Sequence, residues 1–145
     1  MSKPQKFLTK TEEQEIIRAI KTAEKNTSGE IRVHIEPECK GALDDRVKQL
    51  FQQLEMHKTK ERNGVLFYLA VNDHKFYILG DRGIHQKVTD NFWESTRDVM
   101  QKHFKKQAFK QGLIDGILMA GEQLKKYFPY QHDDLNELSD EISKN

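Results

Sequence analysis

The 145-residue chain predicts an α/β fold: a three-layer α/β/α sandwich around a small mixed central sheet of three or four strands. Three stretches carry that expectation. Residues 30–36, EIRVHIE, alternate polar and apolar side chains, the period of a strand covered on one face. Residues 64–71, GVLFYLAV, do not alternate, so both faces need cover, as in a central strand with helices on each side. The turn NDHK then leads into FYILG, which makes Val65–Val71 and Phe76–Leu79 a hairpin. One domain over residues 1–145 suits the length.

The elements follow in order. Residues 1–8 read as a loose arm. TKTEEQEIIRAIKTAEKN reads as a helix, with Thr11–Gln14 or Thr9–Glu12 as its capping box and Ile16, Ile20 and Ala23 along its apolar stripe. Asn26–Gly29 is a polar turn cluster that ends it. In the first strand Ile31, Val33 and Ile35 face the core. Glu30, Arg32, His34 and Glu36 face away, which predicts an edge strand with a solvated His34; Pro37 closes it. ALDDRVKQLFQQLEM is amphipathic through Leu43, Val47, Leu50, Phe51 and Leu54. A strand, a helix and a strand in succession predict a right-handed parallel crossover.

The last third is helical. Thr89 or Asp90 is placed to cap a helix that turns Phe92, Trp93, Thr96, Val99, Met100 and Phe104 inward. A final helix carries Phe109, Leu113, Ile117, Ala120, Leu124 and Phe128 on one stripe until Pro129. Gly112 and Gly116 sit on or beside that stripe and cost roughly 1 kcal/mol each against alanine, which points to a neighbour approaching the backbone closely. Residues 132–145 form an acidic tail, in which Leu135, Leu138 and Ile142 have the spacing of a short docked helix; a frayed tail is the alternative.

Composition narrows the function classes. Lys and Arg number 24 against 23 acids, a balance that argues against a nucleic-acid binder. One cysteine, Cys39, excludes an intrachain disulfide. The N-terminus lacks an apolar leader region and no run approaches the ~18 apolar residues of a membrane span. A cytoplasmic monomer, with a protein partner as an open option, is the expectation.

Strand register brings one chemical feature into view. If the hairpin reverses at Asn72–His74, Gly80 and Asp81 return to the end where the previous strand begins, beside Arg62, Asn63 and Gly64. A parallel neighbour starting at Glu30 begins there too. Glu30, Asn63 and Asp81 therefore converge, with Ser28, Arg62 and Arg82 nearby. Carboxylates and an amide suit a hard cation such as calcium or magnesium, not zinc. The competing reading is structural: Asp81 pairs with Arg62 or Arg82, or caps the turn. Asp73 lies at the opposite end, about 20 Å away at ~3.3 Å per residue, outside the same coordination shell. No serine-hydrolase elbow and no H-E-x-x-H motif occurs.

These segments also resemble the TPM domain family, over about Leu8 to Ile142. The resemblance rests on TEEQEIIRAIKTAEKNTSGEIRVHI, LFQQLEMHKTKERNGVLFYLAVND, FYILGDRGIHQKV, FWESTRDVMQKHF, FKQGLIDGILMAGEQLKKYFP and NELSDEIS in that order. It implies an α/β/α sandwich and an acidic site for divalent cations, with Glu30, Asn63 and Asp81 at the matching positions and Asp73 as a further choice. It also implies a possible metal-assisted phosphatase activity, since members include an acid phosphatase of the thylakoid lumen. Cation binding with little or no catalysis needs the fewest groups. A phosphatase needs a complete constellation, and a protein-interaction module would use the acidic tail or a strand edge.

Overall fold

The run that requires cover on both sides, Gly64–Ala70 (β2), is a strand buried at every position. The computed structural model describes residues 8–89, 91–130 and 140–144. Within them β2 pairs antiparallel with Lys75–Gly80 (β3) and parallel with Glu30–Glu36 (β1). A fourth strand, Ser143–Lys144 (β4), lies parallel to β1, giving the order β3-β2-β1-β4. Helix α1 (Lys10–Glu24) precedes β1, and α2 (Leu43–Gln53) connects β1 to β2. A short turn of helix, α3 (Arg82–His85), follows β3, and then come α4 (Glu94–Lys105) and α5 (Phe109–Tyr127).

The parity of the strands sorts the core into two layers. Ile31, Val33, Ile35, Val65, Phe67 and Leu69 pack on one side against α1, α4 and α5. Leu66, Tyr68 and Ala70 pack on the other against Val47, Leu50 and Phe51 of α2 and against Met56. This is the expected three-layer sandwich. Thr9 makes the capping box with Glu12: its hydroxyl accepts from Glu12 N at 3.1 Å and its own N–H donates to the Glu12 carboxylate at 2.9 Å. Gly112 and Gly116 admit α4 to α5, because a Cβ there would lie 2.5 Å from Phe104 Cε1 and from Met100 Sδ, respectively. None of the described helices is long and apolar enough to cross a membrane.

Four expectations are corrected. β1 is not an edge strand: β2 and β4 flank it, and Glu30, His34 and Glu36 are buried. The loose arm loses its last residue, since Leu8 is buried in the core; residues 1–7 lie outside the described residues. The end of the tail is docked rather than frayed, and its last described residues form a strand. Ile142 packs on the core and Ser143–Lys144 pairs with His34 and Ile35, while Leu135 and Leu138 lie outside the described residues. Finally, α4 starts at Glu94 without a side-chain cap. The Thr89 hydroxyl bonds Asn91 Oδ1 at 2.5 Å instead, and Asp90 lies outside the described residues.

The docked end of the chain has a proton-dependent contact. Glu24, at the end of α1, accepts from Ile31 N at 2.9 Å and hydrogen-bonds Asp140. Burial first, and then Asp140 and Glu30, push its pKa from 4.5 up to about 9. The folded chain thus keeps a proton that the unfolded chain releases. Stability from this group is full below the unfolded value of 4.5 and is lost as pH rises through about 9. Urea midpoints should fall from pH ~5 to pH ~9, and Glu24→Gln should flatten that slope. A slope unchanged by Glu24→Gln would remove Glu24 as its source.

Candidate functional site

Three chain segments do meet at one end of the sheet. Glu30 opens β1 opposite Gly64, the first residue of β2, and Glu30 N donates to Asn63 O at 3.4 Å. On the other side Asp81 N donates to Gly64 O at 2.9 Å. Glu30, Gly64 and Asp81 therefore form one row across β1, β2 and the end of β3. Glycine in the middle leaves no side chain between the two acids. Glu30 is 3% exposed, Asn63 1% and Asp81 6%.

Asp81 carries several bonds at once. Its Oδ2 accepts from Arg62 Nε at 2.8 Å, and its Oδ1 accepts from Arg62 Nη2 at 3.1 Å and from Arg82 N at 2.7 Å. The two-pronged guanidinium contact is the strong form of such pairs, and the third bond caps α3. Both structural alternatives, pairing with Arg62 and capping the turn, are therefore realised, while the Arg82 side chain is not the partner. Arg62 itself sits at φ 52°, the left-handed region that costs a non-glycine residue on the order of 1 kcal/mol. Asn63 Nδ2 donates to Ser28 Oγ at 3.1 Å, Ser28 Oγ donates to Glu61 Oε2 at 2.5 Å, and Asn63 N donates to Thr59 Oγ1 at 3.2 Å.

Asp73 lies at the far end, where its Oδ2 accepts from Cys39 N at 2.7 Å. It tethers the exit of β1 to the β2–β3 turn and takes no part in the corner.

A second polar cluster escaped the sequence reading. Glu36 is buried between the sheet and α2. Its Oε1 accepts from Arg46 Nη2 at 2.7 Å, and its Oε2 accepts from Arg46 Nε at 2.9 Å and from the Tyr68 hydroxyl. His34 Nε2 reaches Oε1 at 3.2 Å, and His34 Nδ1 lies 2.9 Å from Ser143 Oγ. An ionised carboxylate only accepts, so Nε2 carries the proton and Nδ1 accepts a hydrogen bond from the Ser143 hydroxyl. Burial would raise the Glu36 pKa, but the bonds from Arg46, Tyr68 and His34 outweigh it and bring it down to about 2. Burial lowers the His34 pKa, and burial and then Glu36 raise that of Tyr68. The usable signal was Arg46, a basic residue in the first turn of an amphipathic helix that must cover the polar face of β1.

No group of three or more His, Cys, Asp or Glu side chains among the described residues is arranged to hold a metal ion. The corner has the oxygen chemistry of a calcium or magnesium site, but both Asp81 oxygens are engaged by arginine. The residue types fit a hard cation, and their present bonding competes with one.

Comparisons with known proteins agree on the fold. A family model described as TPM domain matches residues 1–123. The solution structure of the BA42 protein from the psychrophilic bacterium Bizionia argentinensis is 52% identical, covers 100% of both chains and superposes with a TM-score of 0.93. An N-terminal domain from P. gingivalis is 20% identical with a TM-score of 0.68, over 87% of this chain and 83% of that one. Another, from Corynebacterium glutamicum, is 12% identical with a TM-score of 0.63, over 95% and 80%. None of the curated proteins matches the chain.

Proposed function

The chain belongs to the TPM domain family, and from that premise we propose that it is a divalent-cation-binding domain with little or no catalytic activity. Calcium or magnesium is held at Glu30, Asn63 and Asp81. The observation that carries this reading is the row Glu30–Gly64–Asp81, two buried carboxylates on either side of a residue with no side chain. Binding a cation there means displacing Arg62 from Asp81. With two formal negative charges and that competition, the dissociation constant should be weak, on the order of 10⁻⁴ to 10⁻³ M, as in charge-poor calcium modules. Asp73, which accepts from Cys39 N at the opposite end of the sheet, is left out of the proposed ligand set.

The reading is tested by titrating the full chain with calcium and with magnesium while following backbone amide shifts. Glu30, Asn63 and Asp81 should move and saturate at millimolar cation. Arg62→Gln should tighten binding about three- to tenfold, since it removes the competing charge, and Asp81→Asn should abolish it. Unmoved amides at all three positions would end the proposal. A metal-assisted phosphatase needs, besides the cation, an attacking group and a general acid, and no observation at the corner favours either. Cation-dependent hydrolysis of an aryl phosphate that Asp81→Asn abolishes would replace the binding-only reading.

A further inference from the structure

We propose that the cleft between the start of α4 and the end of α5 binds a zwitterion of amino-acid size with an apolar side chain. The cleft is open to solvent and has a volume of about 420 Å³, within the roughly 300–1,000 Å³ of small-molecule sites. Glu94, Ser95 and Asp98 line it from α4, and Gln123, Lys126 and Tyr127 line it from α5.

The floor is fixed by its own bonds. The Gln123 amide donates to Phe92 O at 3.2 Å and accepts from Thr96 Oγ1 at 3.1 Å. The Phe92 ring meets Tyr127 edge-on at 5.7 Å and Trp93 at 4.6 Å. Phe92 and Trp93, two residues that the sequence assigns to the core, divide the work: Trp93 is buried, while Phe92 also faces the cleft. Tyr127 is one of two large hydrophobic residues left exposed among the described residues.

The rim is charged, with opposite signs on opposite walls. Glu94 and Asp98 stand one turn apart on α4, a like-charge spacing that is mildly destabilising without a counter-ion. Lys126 stands on α5. None of the three makes an ion pair with a described residue. A neutral ligand would leave these charges unused, and a simple cation or anion would use one wall. An α-amino acid offers both charges: an ammonium for Glu94 and Asp98, a carboxylate for Lys126, and an apolar side chain for Phe92 and Tyr127.

L-leucine is the probe, titrated into the full chain with amide shifts as the readout. Ser95, Asp98, Gln123 and Tyr127 should shift together and saturate in the millimolar range. Leucinamide, which lacks the carboxylate, and N-acetyl-leucine, which lacks the ammonium, should each bind about three- to fivefold more weakly, the scale of one exposed ion pair. Lys126→Met should weaken leucine by that factor and leave leucinamide unaffected. Asp98→Asn should weaken leucine and leave N-acetyl-leucine unaffected. These are exposed positions, so the fold should survive both changes. The proposal is overturned if leucine gives no saturable shifts at tens of millimolar, or if either blocked analogue binds as well as leucine.

Discussion

Glu36→Ala should lower stability by about 3–5 kcal/mol, the range for breaking a buried ion pair from one side. Domains of this size have about 5–15 kcal/mol in all, so the variant should unfold at much lower urea. Alanine would leave Arg46, Tyr68 and His34 facing the space where one carboxylate satisfied all three. Arg46→Met should cost less, because Glu36 keeps Tyr68 and His34 and the methionine stem still covers the sheet. Combining the two should be clearly less than additive, as for groups in one network. Acid should act on the same group. The Glu36 pKa is depressed from 4.5 to about 2, so its contribution is full above 4.5 and is lost as pH falls through about 2. Urea unfolding of the three variants at neutral pH, and of the wild-type chain down to pH ~2.5, measures both. A cost below about 1 kcal/mol for Glu36→Ala would place the cluster among solvated ion pairs.

That cluster also marks where reading the sequence failed. β2 was legible because eight consecutive residues without alternation leave no solvent face. β1 alternates cleanly, and alternation alone cannot say whether the polar face meets water or other polar groups. Two distant residues decide it: Arg46 brings a guanidinium over Glu36, and Ser143 brings a hydroxyl to His34. Neither belongs to the local pattern, and β4 has only two residues, too few for any period to show. The corner was more accessible. Hairpin length and parallel order alone bring Glu30, Asn63 and Asp81 to one end. Which of the two arginines Asp81 would pair with was not accessible: Arg62 sits in a left-handed backbone conformation, and nothing in residues 57–63, HKTKERN, announces it. The capping box shows the same limit on a smaller scale: Thr9–Glu12 and Thr11–Gln14 both have the right spacing, and the start of α1 at Lys10 selects the first.

Gly83→Ala should be the most damaging single-atom addition in the corner. A Cβ on Gly83 would lie 2.2 Å from Glu61 O and 2.5 Å from Arg62 O. Both atoms are backbone, so no side chain can swing aside. The backbone is also held in place: Gly83 N donates to Arg62 O at 2.8 Å, Arg62 N donates to Thr59 O at 3.2 Å, and the Arg62 side chain is gripped by Asp81. Moving the loop far enough for a methyl group would break the first of these bonds and drag Arg62 off Asp81. The expected cost is about 3 kcal/mol, at the upper end for overpacking, with amide shifts spreading over 61–64 and 81–84. Gly41→Ala is the control. Gly41 has φ 82° with nothing within 4 Å of the added carbon, so only backbone strain of about 1 kcal/mol should appear. The comparison separates steric exclusion from conformational preference. If Gly83→Ala costs no more than Gly41→Ala, the loop 61–63 is not seated against α3. The geometry that joins Glu30, Asn63 and Asp81 would then lose the support on which the proposed cation site depends.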